Sequence, residues 1–290
     1  MALRNGFVTS NRLKLYYEIE GKGEPLVLLN GGPGFSHEYL QPLRALAGDV
    51  QLVFFDQRGT GRSDKADPRE YTIEANVQDV EQLRRELHLE SILLLGHSWG
   101  GMLAQAYVLR YPKHVSKLIL ADTVSSIEEL NTVLARMRNS VPESTQAVYD
   151  KYEQEGLYKN SDRYPEEYQI AVDAAYKPIM IDGPMPEHLK DMFSKVAYDV
   201  YRVMWGVESE FRVTGTLANF DVRHQLYNIR IPVLVIVGAK DMPTITMAEH
   251  SVRAMPNARL QIFEYSHHFP FIEEADKFLD VVREFINPKS

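Results

Sequence analysis

One serine, one aspartate and one histidine stand in the chain where they could together make a nucleophile. Ser98 lies in Leu93-Leu94-Leu95-Gly96-His97-Ser98-Trp99-Gly100-Gly101, an apolar run followed by Gly-x-Ser-x-Gly and a helix-compatible segment. A sharp strand-to-helix turn that pushes a serine hydroxyl out of a sheet needs this pattern. Side chains at Gly96 and Gly100 would collide with neighbouring backbone in so tight a turn, and glycine lacks the Cβ that would clash. Asp241 follows the apolar run from Val233 to Val237 through Gly238-Ala239-Lys240, and His268 stands in Ser266-His267-His268-Phe269-Pro270. In that order, the histidine takes the proton of the attacking serine while the aspartate holds the imidazole tautomer and stabilises imidazolium. His267 is the alternative base and Asp122, ending the preceding strand, the alternative acid. His268 is preferred for the Phe-Pro-Phe and the acidic pair Glu273-Glu274 that follow it, opening the last helix, and Asp241 for its Gly-x-x-Asp turn. The oxyanion of a tetrahedral intermediate would be held by the backbone N–H of Trp99 and by Gly32 in the loop Asn30-Gly31-Gly32-Pro33-Gly34. Loss of one such donor typically raises the barrier by about 2.7 to 4 kcal/mol.

Such residues need a sheet to hold them. Leu13 to Ile19 partly alternates and reads as a half-exposed antiparallel strand at a sheet edge. Pro25–Leu29, Leu52–Phe55, Ser91–Leu95, Leu118–Ala121, Pro232–Gly238 and Leu260–Phe263 are apolar runs of strand length. Between them, helices are expected over Ile73–Leu87, from Val77, Val80, Leu83 and Leu87 at helical spacing, and over Met102–Tyr111, stopped by Pro112. A last helix carries Phe278, Val281, Val282 and Phe285. All-apolar strands alternating with helices indicate a parallel sheet covered on both faces. The rhythm breaks from about Thr123 to Arg230, where amphipathic segments rich in Tyr, Met, Glu and Lys predict a helical insertion. The expected division is a core of residues 1–122 and 231–290 with a helical cap of residues 123–230.

Bulk composition excludes other chemistries. A net charge of −8 without any basic run argues against nucleic acid as a partner. There is no cysteine, so disulfides, thiolate metal sites and thiol catalysis are absent. His267 and His268 are adjacent and have no ligand set at metal spacing, and no Gly-x-Gly-x-x-Gly follows a strand, so neither metal nor other cofactor is expected. The N-terminus lacks the apolar stretch of a signal peptide and no run is long enough to span a bilayer, so no membrane partner and a cytoplasmic location are expected. The sequence carries no signal of oligomeric state.

The motifs Gly31-Gly32-Pro33-Gly34, Asp56-Gln57-Arg58-Gly59-Thr60-Gly61-Arg62-Ser63, Gly96-His97-Ser98-Trp99-Gly100-Gly101, Glu210-Phe211-Arg212-Val213-Thr214-Gly215-Thr216 and Gly238-Ala239-Lys240-Asp241 run along nearly the whole chain. Together they resemble the proline iminopeptidase family of α/β-hydrolase serine peptidases. That resemblance implies an α/β-hydrolase fold and release of an N-terminal residue, often proline, from short peptides, with Ser98, Asp241 and His268 as triad. An exopeptidase must tell a free α-amine from a blocked one, and a carboxylate facing the site does so through a charge-assisted hydrogen bond worth roughly 1.5 to 3 kcal/mol. Glu210 is the candidate from the matching motif, with Glu208 as its neighbour. The chain departs from the family at Asn30, where the glycine loop usually begins with His, and at Met242, where some members carry a second acid after the triad Asp. Those departures keep two other readings open: an esterase, amidase or carbon–carbon bond hydrolase acting on a non-peptide small molecule, and a non-catalytic ligand-binding member of the fold.

Overall fold

A computed structural model describes residues 3–158 and 161–288, without the side chains of residues 242 and 243. Eight strands form one sheet: β1 (Arg4–Ser10), β2 (Leu13–Gly21), β3 (Pro25–Leu29), β4 (Gln51–Phe55), β5 (Ile92–His97), β6 (Val115–Ala121), β7 (Val233–Gly238) and β8 (Ala258–Phe263). Their order is β1-β2-β4-β3-β5-β6-β7-β8, antiparallel through β1, β2 and β4 and parallel from there on. The apolar runs of the sequence are the central strands, and every residue of β5 and β7 is buried, as a strand covered on both faces requires. The expected edge strand is the second one in; β1, with Asn5 and Gly6 and an exposed Phe7, lies outside it. Its pattern is too polar to announce a strand, and pairing with β2 supplies what local propensity does not.

Ten α-helices complete the described chain. α1 (Ile73–Glu86) packs on β1, α2 (Trp99–Arg110) on β3, β5 and β6, and α8 (Met242–Ala254) on β7 and β8, while α9 (Pro270–Glu273) and α10 (Ala275–Ile286) pack on each other and on the 3-10 helix His37–Leu46. α2 begins at Trp99 and not at Met102, so the turn at Ser98 passes into helix with no intervening loop. Of the acidic pair expected to open the last helix, Glu274 is the N-cap residue of α10, while Glu273 is the last residue of α9. Between β6 and β7 lie α3 (Ile127–Asn139), α4 (Glu143–Glu155), α5 (Glu166–Met180), α6 (Glu187–Ser194) and α7 (Tyr198–Met204), with no sheet strand among the described residues. This segment is hydrogen-bonded to the core: the Thr216 hydroxyl donates to the Tyr71 carbonyl at 2.7 Å, and the Ala197 N–H donates to the Gly34 carbonyl at 2.9 Å. No helix among the described residues is long and apolar enough to cross a membrane.

Candidate active site

At the end of β5, Ser98 sits at φ 55° and ψ −123°, a conformation a non-glycine residue adopts only under constraint, at a cost of about 1 to 3 kcal/mol. The constraint is local. A Cβ at Gly96 would strike the Gly100 carbonyl, and one at Gly100 would strike the Leu29 carbonyl, so only glycines let β5 turn so abruptly against β3. The Thr123 hydroxyl donates to the Ser98 carbonyl at 2.6 Å and the Ser98 N–H donates to the Ala121 carbonyl at 2.9 Å, pinning the turn from β6. Trp99 is the first residue of α2, so its N–H has no carbonyl one turn back to bond. Ser98, Trp99, Gly32, Asp241, His268 and Glu210 all line one cavity of about 730 Å³.

His268 and Asp241 meet across the ends of the last two parallel strands. The His268 Nδ1 is 2.7 Å from Asp241 Oδ2, and the carboxylate is 1% exposed while the imidazole is 18% exposed. Nδ1 therefore donates, leaving Nε2 as the acceptor. The Ser98 hydroxyl forms no hydrogen bond among the described residues; such contacts often close only when substrate binds. His267, in contrast, is turned away: its N–H and Nδ1 both bond Glu273, each at 2.8 Å. Glu274 accepts from the Tyr265 N–H at 3.0 Å and the Ser266 hydroxyl at 2.7 Å. The acidic pair is thus a clamp on the loop that carries His268.

Asp122 is buried, and its Oδ1 accepts from the Gly238 N–H at 2.9 Å, tying the ends of β6 and β7 together. Burial first, and the Asp241 charge second, hold its carboxyl well above the usual carboxylate range. Asp122, Asp241 and His268 bring ligand-type atoms within 4.8 Å of one another, but the pairings just given already engage Asp122 Oδ1, Asp241 Oδ2 and His268 Nδ1.

Two relays hold the loops in place. The Gly31 N–H donates to Tyr39 Oη at 2.6 Å, Tyr39 lies 2.9 Å from His97 Nδ1, and His97 Nε2 lies 2.8 Å from the His268 carbonyl. A carbonyl can only accept, so Nε2 carries the proton; burial, with the neighbouring His268 second, keeps His97 from gaining another, so Tyr39 donates to Nδ1. One neutral histidine thereby connects the glycine loop, the serine turn and the loop that carries His268. In the second relay, the Trp99 indole N–H donates to Gln57 Oε1 at 2.6 Å and Gln57 Nε2 donates to the Asn30 carbonyl at 2.9 Å. Asp56 accepts from the N–H groups of His37 and Arg62, each at 2.9 Å, and Arg58 forms a buried pair with Asp79 at 2.7 Å. The Asp56–Ser63 motif is therefore scaffolding behind the glycine loop. Asn30 is wholly buried, and its side-chain amide donates to the Phe35 carbonyl across that loop. Met242 begins α8, and its side chain lies outside the described residues.

The other end of the cavity is built by the inserted segment. Glu210 is 8% exposed and accepts from Tyr164 at 2.7 Å and Tyr201 at 2.8 Å. Trp205 donates to the Glu210 carbonyl at 3.0 Å, and the Glu210 N–H donates to Tyr168 at 3.1 Å. Desolvation by burial pushes its carboxyl up to about 7, against the lowering effect of the tyrosine hydroxyls. Tyr164, Tyr176, Tyr198, Tyr201 and Trp205 share the cavity wall with it. A desolvated carboxylate among aromatic faces is a site for an organic cation, which restores the charge balance that burial disturbs. Glu208 is not part of this wall; it is 62% exposed and lies 3.9 Å from Arg212.

Comparison with known proteins agrees with this architecture. Residues 24–166 match the α/β hydrolase fold family. The chain is 37% identical over 276 residues to the proline iminopeptidase of Saccharolobus solfataricus, covering 93% of this chain and 87% of that one. It is 33% identical to the proline iminopeptidase of Clostridioides difficile, with 99% of each chain covered. The crystal structure of the Mycobacterium smegmatis proline iminopeptidase superposes with a TM-score of 0.84 at 26% identity, covering 98% of this chain and 97% of that one. An eight-stranded α/β-hydrolase sheet, a strained serine at the end of its fifth strand and full-length similarity above 30% leave one assignment: this chain belongs to the proline iminopeptidase family.

Proposed function

We propose that the protein is a serine aminopeptidase that releases an N-terminal proline, or another small apolar residue, from short peptides through an acyl-enzyme on Ser98. His268 takes the Ser98 proton as the hydroxyl attacks the carbonyl, and Asp241 holds the imidazole and stabilises its charged form. The N–H groups of Trp99 and Gly32 receive the developing oxyanion. His268 then returns the proton to the leaving amine, and water, activated by the same histidine, releases the acid. The observation that carries this reading is Glu210, a buried carboxylate inside the cavity that holds Ser98 and His268. An ester or carbon–carbon bond hydrolase needs no carboxylate there, whereas a protonated α-amine gives Glu210 the cation it lacks. The segment 123–230 acts as a cap that admits a chain end and excludes folded protein.

Chromogenic amides of proline and alanine test the reading. Turnover that disappears in Ser98→Ala supports it, and turnover no greater than that of Ser98→Ala contradicts it.

A further inference from the structure

The cavity is larger than one residue requires. At about 730 Å³ it falls in the range that accommodates a drug-sized molecule. Recognition of the substrate amine by Glu210 fixes how the reaction divides this space, and the subsite assigned below rests on that proposed role. The acyl residue carries the α-amine, so it occupies the space between Ser98 and Glu210. The leaving amine takes its proton from His268, so it departs on the His268 side.

Helix α5 marks the two ends. Tyr176 belongs to the Glu210 end, and Met180 lies one helical turn on, about 6 Å along the axis. The Met180 carbonyl accepts from the His268 N–H at 3.3 Å, and Asp182 pairs with Lys240, beside Asp241, at 3.2 Å. The chain after α5 is thus fastened to the base and acid loops. From there the cavity wall consists of Met180, Ile181, Met185, Phe193, Val196 and Phe35, with Phe193 edge-on to Phe35 at 5.5 Å. Lys190, also on this side, is 57% exposed and paired with Glu187 at 3.1 Å.

We infer that this apolar wall is a leaving-group subsite, and that the protein selects amides whose amine portion is extended and apolar. Such an amine could be a second residue with a large apolar side chain or a non-peptide alkylamine; the shared chemistry is a hydrophobic chain on the scissile nitrogen. A specificity of this kind comes from burial alone, at about fourfold per methylene removed from water.

A series of prolyl n-alkylamides from methyl to hexyl tests it, because the leaving amines are nearly equal in basicity and differ in apolar length. The expected result is a rise in kcat/KM of at least tenfold from methyl to hexyl, with the hexyl-to-methyl ratio collapsing in both Met185→Ser and Phe193→Ser. Prolyl-leucinamide against prolyl-glycinamide separates the sources: a matching preference assigns a peptide leaving group, and its absence beside a rising alkyl series assigns a non-peptide amine. Amides that are all cleaved at the same rate overturn the subsite and leave the aminopeptidase reading intact. Failure to cleave any prolyl or alanyl amide above the Ser98→Ala level overturns both.

Discussion

The Ser98 end and the Glu210 end of the cavity are built in opposite ways. At the Ser98 end, the proposed triad hangs from the ends of parallel strands in one sheet, and backbone contacts from neighbouring strands hold the turns. At the Glu210 end, no sheet is involved; tyrosine side chains from α5, α7 and the loop before α5 converge on one carboxylate, and the Trp205 indole bonds the backbone carbonyl of the same residue. The first arrangement is rigid because backbone geometry is shared along the sheet, which suits a reaction sensitive to small displacements. The second can change by side-chain substitution without disturbing the sheet, which suits the choice of substrate. With the roles proposed above, chemistry and recognition are separable, and variants at the two ends should fail differently.

The largest effect belongs to the sheet end. Ser98→Ala should lower kcat by on the order of 10⁵ to 10⁶, and Asp241→Asn by about 10⁴ through the wrong imidazole tautomer, on free-amine amides and N-blocked esters alike. Steady-state kinetics on both substrate types checks this, and a loss confined to one would break the separation.

Glu210→Gln should instead lower kcat/KM about 10- to 100-fold on free-amine amides, the worth of one charge-assisted hydrogen bond, and leave N-blocked esters unchanged. The same variant has a signature in stability. In the folded protein the Glu210 carboxyl keeps its proton up to about pH 7, while in the unfolded chain it loses it near its ordinary value of 4.5. The folded state then binds more protons over that interval, so this residue's contribution to stability falls as pH rises from about 4.5 to 7. Glu210→Gln removes that fall, so in urea melts at pH 8 without ligand the variant should gain up to about 3 kcal/mol over wild type relative to their difference at pH 4.

His97→Leu gives the smallest effect. It leaves Tyr39 and the His268 carbonyl without their partner, at a stability cost of about 1 to 3 kcal/mol, and should lower kcat by about tenfold with KM little changed. Lost stability with kcat and KM both unchanged would show that His97 only packs the core.

Much of the sheet end was legible in the sequence because its signals are local: apolar runs of strand length, the glycines around Ser98, and Asp241 and His268 following strands in order. The limits of α2 and the strand β1 were not, since the turn runs straight into helix at Trp99 and β1 owes its conformation to pairing with β2. The tyrosine cage was hidden because its members lie far apart in the chain, Tyr164 and Glu210 being separated by 46 positions. His97 was hidden further: it occupies a variable position of the Gly-x-Ser-x-Gly pattern, and its partners Tyr39 and His268 are 58 and 171 positions away. Glu273 and Glu274 were visible as residues, but their grip on the His267–His268 loop was not.

The central claim is that a free N-terminal amine is what this cavity reads. Its most direct test is kcat/KM at pH 8 for a prolyl amide and for the same amide with its nitrogen acetylated. The account predicts at least 10-fold faster cleavage of the free amine, the lower end of what one charge-assisted hydrogen bond to Glu210 supplies. Equal rates for the two would contradict it.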